Sequence, residues 1–193
     1  MIYKYEYPSI VGTLTLASDG PHLCGLWLEG QKYFEEKIEE RVLGAQSKNA
    51  KDIQFLIGEE ALQQSEGLQK TLTWLDAYFA GEDPGALPPL AMHGTEFQEQ
   101  VWNQIAQIPY GETRTYGDIA HALASHRPNG KISYRAVGSA IGKNPITVIV
   151  PCHRVIGANN NLTGYAGGLR RKLQLLDLEG IDTSVFKILT EEA

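Results

Sequence analysis

The 193-residue chain has a net charge of −6 and an ordinary apolar share of 42%, suits one large domain or two small ones, and holds no apolar run of membrane-spanning length. Its opening, MIYKYEYPSI, has neither a signal peptide's apolar core nor a transit peptide's arginine bias, so a cytoplasmic protein is expected. Two cysteines in different contexts, Cys24 and Cys152, argue for a reducing compartment rather than a disulfide framework.

In chain order, residues 2–28 read as strands: Tyr3, Tyr5 and Tyr7 alternate, and Asp19-Gly20-Pro21 marks a turn between 13–17 and 23–28. Cys24, between Leu23 and Leu26, is expected to pack as a small hydrophobe. An acidic amphipathic helix is expected over 34–42. A longer one is expected over 59–79, with Leu62, Leu68, Leu72, Leu75 and Phe79 inward and Gly81 as its stop. Residues 82–94, with three prolines, read as an interdomain linker. Thr95-Glu96-Phe97-Gln98 fits a capping box for a helix that buries Phe97, Val101, Trp102 and Ile105 and closes at Pro109. A second box, Thr115-Tyr116-Gly117-Asp118, opens a helix with Ile119, Ala120 and Leu123 as its apolar stripe. After a long turn over 125–131, Ala136, Val137, Ala140 and Ile141 form one helical face, with Gly142 as stop and Asn144-Pro145 turning the chain. These two helices suggest a helix-turn-helix.

The run Ile146-Thr147-Val148-Ile149-Val150, β-branched throughout, predicts a short buried strand that delivers Pro151-Cys152-His153-Arg154-Val155. Residues 157–168 (GANNNLTGYAGG) read as a loop of the kind that walls a site. Leu169, Leu173 and Leu176 then mark a final helix ending at Glu179-Gly180. The expected fold is α+β. Residues 1–90 form an α/β domain with a small sheet and a structural role, and residues 91–193 a mostly helical domain.

Cys152 beside His153 is the chemical signal. A thiol in an apolar setting stays protonated unless a base removes its proton, and an adjacent imidazole supplies one. The surrounding charge is asymmetric: residues 1–94 carry seven Lys/Arg against fourteen Asp/Glu, residues 95–172 nine against four, and residues 173–193 one against five. The basic stretch coincides with the helix-turn-helix and the cysteine, as expected of a phosphate-facing surface. The second helix presents Arg135, Ala136, Gly138 and Ser139. Apart from Arg135 these are too small to read bases in the major groove, but they suit close approach to a minor groove without sequence readout. There is neither a phosphate-binding glycine loop nor a metal-ligand cluster, so no cofactor and no metal are expected; His22, Cys24 and His93 are too few soft ligands.

Tyr116, Arg135-Ala136-Val137-Gly138, Asn144-Pro145, Pro151-Cys152-His153-Arg154-Val155, Gly164-Tyr165-Ala166-Gly167-Gly168 and Glu179-Gly180 recur in the order of one family. Over 95–180 the chain resembles the O6-alkylguanine-DNA alkyltransferases; over 1–90 the likeness is weak. The resemblance implies a single-turnover repair protein that moves an alkyl group from O6 of guanine in a flipped-out nucleotide to Cys152, with O4 of thymine as a further candidate donor that the sequence does not decide. It implies that His153, through a water held with Glu179, draws the proton from Cys152. Tyr116 would sit over the rotating phosphate and donate a proton to the departing guanine, and Arg135 would fill the gap left by the flipped base. Asn144 would fix the turn before the active-site segment. Val155, Tyr165, Ala166 and Gly167 would line the base pocket, Ala166 standing where some relatives carry serine. The implied partner is double-stranded DNA containing O6-alkylguanine, bound through the minor groove by a monomer, with no membrane involved. A related group lacks the acceptor cysteine and only binds lesions; Cys152 argues against that reading.

Two other functions fit parts of the sequence. One is a DNA-binding regulator with Cys152 as an alkylation or redox sensor, disfavoured by the lack of base-reading side chains. The other is a cysteine hydrolase, disfavoured because neighbours on an extended segment point to opposite sides, which keeps His153 off the thiol.

Overall fold

The computed structural model describes residues 1–32, 54–125, 127, 130 and 132–188. The helix expected over 34–42 and most of the turn after Ser125 lie outside them. The chain forms two compact units, Met1–Thr95 with Pro145–Ile149, and Glu96–Asn144 with Val150–Ala193. The first unit thus reclaims five residues from the middle of the second half of the sequence.

The first unit is built on a four-stranded sheet of order β3-β2-β1-β4: β1 (Ile2–Ser9), β2 (Gly12–Ser18), β3 (Leu23–Leu28) and β4 (Phe55–Ile57). β2 pairs antiparallel with both β1 and β3, while β4 runs parallel to β1. Every residue of β3 is buried, which explains its unbroken apolar reading. Gly25 has a steric role there, because an added Cβ would lie 1.9 Å from the Trp27 ring.

The helix expected over 59–79 is two: α1 (Glu59–Gln64) and α2 (Glu66–Phe79). Ser65 breaks it in extended conformation and caps α2 by accepting from Leu68 N. Its hydroxyl also reaches Ser18 Oγ and Gly20 O, each at 2.9 Å. A serine that can cap and bond the neighbouring turn gains more than it would inside a helix. The 82–94 stretch is not a free tether either. Leu23 N donates to Pro89 O and Ala91 N to Leu23 O, so it ends as a bridge along the sheet.

The run 146–150 is buried as expected but is not a strand. Leu26 N donates to Pro145 O, Thr147 N donates to Leu26 O, and the chain then reverses: Ile149 N donates to Thr147 O with Val148 at φ 68°. That is a γ-turn centred on a β-branched residue in the left-handed region, a conformation that surrounding bonds must impose. Two anchors, Leu26 before the turn and Asn144 on Val150 O after it, override the local β preference.

In the second unit, α3 (Glu96–Ala106), α4 (Tyr116–Ala124) and α5 (Tyr134–Gly142) pack pairwise, and Trp102 Nε1 donates to Ala140 O. Thr115 and Asp118 form the expected capping box at the start of α4, and Ser133 caps α5 through Ala136 N. Short parallel pairs, β5 (Arg114–Thr115) with β6 (Val155–Ile156) and β7 (Asn161–Leu162) with β8 (Lys187–Ile188), surround α6 (Leu169–Leu178). Ile156, Leu162 and Leu176 form a core there. No helix among the described residues is long and apolar enough to cross a membrane.

Candidate active site

Cys152, His153 and Arg154 form a single 3-10 turn, not an extended segment, entered through Pro151 in a second tight turn that is closed by Cys152 N on Val150 O. All three side chains are buried. The objection that neighbours on a strand must point apart therefore lapses. Asn144, one residue beyond the end-cap of α5, spans the reversal. Its Nδ2 donates to Val150 O at 2.7 Å and to Cys152 Sγ at 3.3 Å. A donor aimed at sulfur favours thiolate over thiol.

His153 Nε2 lies 2.6 Å from Glu179 Oε1. Arg154 grips the same carboxylate in a fork, Nε to Oε2 at 2.8 Å and Nη2 to Oε1 at 3.0 Å, while its Nη1 donates to Ile108 O. Gly111 N also donates to Glu179 Oε2. Burial opposes ionisation of Glu179, but the hydrogen bonds from His153 and Arg154, with the charge of the Arg154 guanidinium, outweigh it and bring the carboxyl down to about 2. His153 moves down as well, chiefly because its complete burial disfavours the imidazolium; Arg154 and Lys172 add to this, and Glu179 opposes it. Arg154 is always charged, so the ion pair belongs to Glu179 and Arg154, and His153 rests neutral. With Nε2–H donated to the carboxylate, Nδ1 keeps a basic lone pair.

Tyr116 is the first residue of α4, set by the Thr115 cap and by the β5–β6 pairing three residues beyond Cys152. Its hydroxyl donates to Gly164 O at 3.5 Å. Burial, with the charge of Cys152, raises its pKa against a hydrogen bond with Thr163, so the phenol stays a proton donor. Tyr165 stands edge-on to His153, with ring centroids 6.5 Å apart, and Ala166 and Gly167 are half-buried beside it. Val155 is fully buried. Thus Asn144, Cys152, His153, Glu179, Tyr116 and Tyr165 are linked by direct contacts or charge, with Val155 three residues on. Arg135 and Ser139 are exposed on α5, with Ala136 and Gly138 half-buried between them.

Two residues of this centre, Arg154 and Lys172, have roles that only the folded chain displays. Arg154 stands inside the quoted motif, yet nothing in a linear reading says that it neutralises Glu179. Lys172 has no exposed surface, and its ammonium donates to Val155 O at 2.6 Å and Thr163 O at 2.9 Å. The available signal was helical spacing: positions 172, 176 and 179 share the face that carries Leu176 and Glu179.

An α+β protein with a buried cysteine beside an imidazole–carboxylate pair and a helix-turn-helix is what fold and site define together. Similarity to known proteins identifies it further. The description "6-O-methylguanine DNA methyltransferase, DNA binding domain" matches residues 96–181, and the same family's ribonuclease-like domain matches residues 1–86. The methylated-DNA–protein-cysteine methyltransferase of Mycobacterium bovis is 54% identical over 179 residues, 93% of each chain. That of Methanosarcina acetivorans is 47% identical over 154 residues, 76% of this chain and 96% of the other. Among solved structures, Mycobacterium tuberculosis OGT in complex with DNA superposes with a TM-score of 0.69 at 36% identity, covering 95% of this chain and 94% of that one. The chain belongs to the 6-O-methylguanine DNA methyltransferase family.

Proposed function

We propose that this protein repairs DNA by transferring an alkyl group from O6 of guanine, and from O4 of thymine where the pocket admits it, to Sγ of Cys152, once per molecule. The observation that carries the reading is the buried chain Glu179–His153 beside Cys152, with Asn144 donating to the sulfur. Neutral His153, oriented by Glu179, takes the Cys152 proton through a bridging water, and Glu179 stabilises the imidazolium that results. The thiolate attacks the alkyl carbon; the S–C bond forms as the C–O bond breaks, and the leaving guanine receives a proton from Tyr116. The product is a thioether, which thiol exchange does not reverse, so the reaction stops after one event.

The target oxygen lies inside a duplex, so the nucleotide must be extruded at a cost of a few kcal/mol. Arg135, exposed at the start of α5, is suited to filling the vacated stack, and Ala136, Gly138 and Ser139 to lying against a minor groove. Internal packing does not require the smallness of Gly138: an added Cβ would meet only Tyr116 Cε1, at 3.9 Å. A close external partner accounts for it. We read the protein as acting as a monomer in the cytoplasm, with a structural role for the first 90 residues.

Incubation with a duplex bearing one O6-methylguanine, followed by intact mass and peptide mapping, tests the reading. The expected result is one added methyl per molecule, on the peptide containing Cys152. Repeated turnover, or methyl on Cys24, would overturn it.

A further inference from the structure

Lys172 is a buried cation that the transfer chemistry above does not use. Three hydrogen bonds leave its Nζ, to Val155 O at 2.6 Å, Thr163 O at 2.9 Å and Gly164 O at 3.5 Å. The acceptors belong to two separate stretches. Val155 follows the turn that carries Cys152, and Thr163 and Gly164 open the segment that carries Tyr165. Gly164 O also accepts from Tyr116, so one ammonium and one phenol meet on the same carbonyl.

Burial is costly for this side chain. It brings the pKa down to about 8 against the pull of the Cys152 charge, so below that pH the fold holds an ammonium that the unfolded chain would solvate better. An apolar side chain of similar length would fill the space without that cost. What the apolar side chain could not do is hold two stretches of backbone together by their carbonyls. Gly164 at φ 47° and Gly168 at φ 89° bracket the wall segment in left-handed conformations that favour glycine.

We propose that Lys172 is a positioning residue for alkyl transfer, a strap that fixes the pocket wall 163–165 against the Cys152 turn and so sets the base at reacting distance. The proposal rests on the alkyl-transfer reading above. A wall displaced by about 1 Å is enough to slow an oriented reaction roughly 100-fold, while a small reagent that needs no pocket is indifferent to it.

The experiment compares two reactions of Cys152 in the wild type, Lys172→Met and Lys172→Arg. One is methyl transfer from an O6-methylguanine duplex, and the other is alkylation by iodoacetamide; both are followed by mass, with amide hydrogen exchange over 163–168 read alongside. Lys172→Met is expected to slow transfer by about 100-fold, to change the iodoacetamide rate far less, and to speed exchange over 163–168. Lys172→Arg, which keeps the charge and folds where the apolar variant fails to, is expected to recover part of the transfer rate. Equal slowing of both reactions, or transfer at the wild-type rate in Lys172→Met, overturns the strap. A wild type that reacts with iodoacetamide but never with the duplex refutes alkyl transfer itself, a different outcome.

Discussion

Each unit of this protein buries one cysteine, and the two thiols have opposite surroundings. Cys24 lies in β3 with no exposed surface, among Ile2, Ala17 and Trp27, and its thiol donates a weak bond to His22 O at 3.6 Å. Burial, with the charge of Asp19, pushes that thiol up to about 12. Cys152 is 6% exposed, takes a hydrogen bond from Asn144, and shares its interior with His153, Arg154, Lys172 and Glu179. Burial alone makes a cysteine inert; burial within a satisfied polar array makes one usable. Among the described residues, the buried charged side chains Arg154, Lys172 and Glu179 all belong to the second unit.

That contrast is broken most completely by exchanging which thiol is lost. Cys152→Ala is expected to abolish methyl uptake from a modified duplex, whereas Cys24→Ala keeps the wild-type stoichiometry, measured by intact mass. Next in size is Arg154→Ala. Removing it leaves the buried Glu179 carboxylate without its fork, and uncompensated buried charges cost about 3–5 kcal/mol. Denaturant unfolding should show a loss of that order, and a loss under 1 kcal/mol would mean that the array is solvated.

Acid probes the same carboxylate. Its folded pKa of about 2 lies below the ordinary 4.5, so its contribution to stability is fully present above pH 4.5 and drains away as pH falls toward 2. Glu179→Gln should lose that limb of the pH–stability curve. The smallest effect concerns the reacted protein. A methyl group on Cys152 overfills a closely packed site, which typically costs about 1–3 kcal/mol, and should lower the melting temperature by roughly 2–8 °C for a chain of this length. An unchanged melting temperature would describe an open groove instead.

How far these features were readable from the sequence follows the range of the forces involved. The α4 capping box, the apolar helix faces and the Cys152-His153 pair are local patterns, and the chain shows them directly. The break at Ser65 was not legible, because it depends on Ser18 and Gly20, some 45 residues away. Nor was the fate of residues 146–150: five β-branched residues predict a strand, yet bonds from Leu26 and Asn144 fold them into a γ-turn. Glu179 entered through resemblance to a family, but its fork with Arg154, 25 residues apart, is purely tertiary. Lys172 was hidden for the opposite reason, since a lysine on an amphipathic helix reads as a surface residue until its burial is seen.

The central claim is that Glu179 and His153 make Cys152 a nucleophile, and the rate of Cys152 alkylation by a small reagent as a function of pH tests it most directly. In the proposed mechanism a neutral His153, held 2.6 Å from Glu179, accepts the thiol proton, and Glu179 stabilises the imidazolium so formed. The account predicts that His153→Ala and Glu179→Gln both move the profile to higher pH relative to the wild type. Profiles in both variants that superpose on that of the wild type would contradict it.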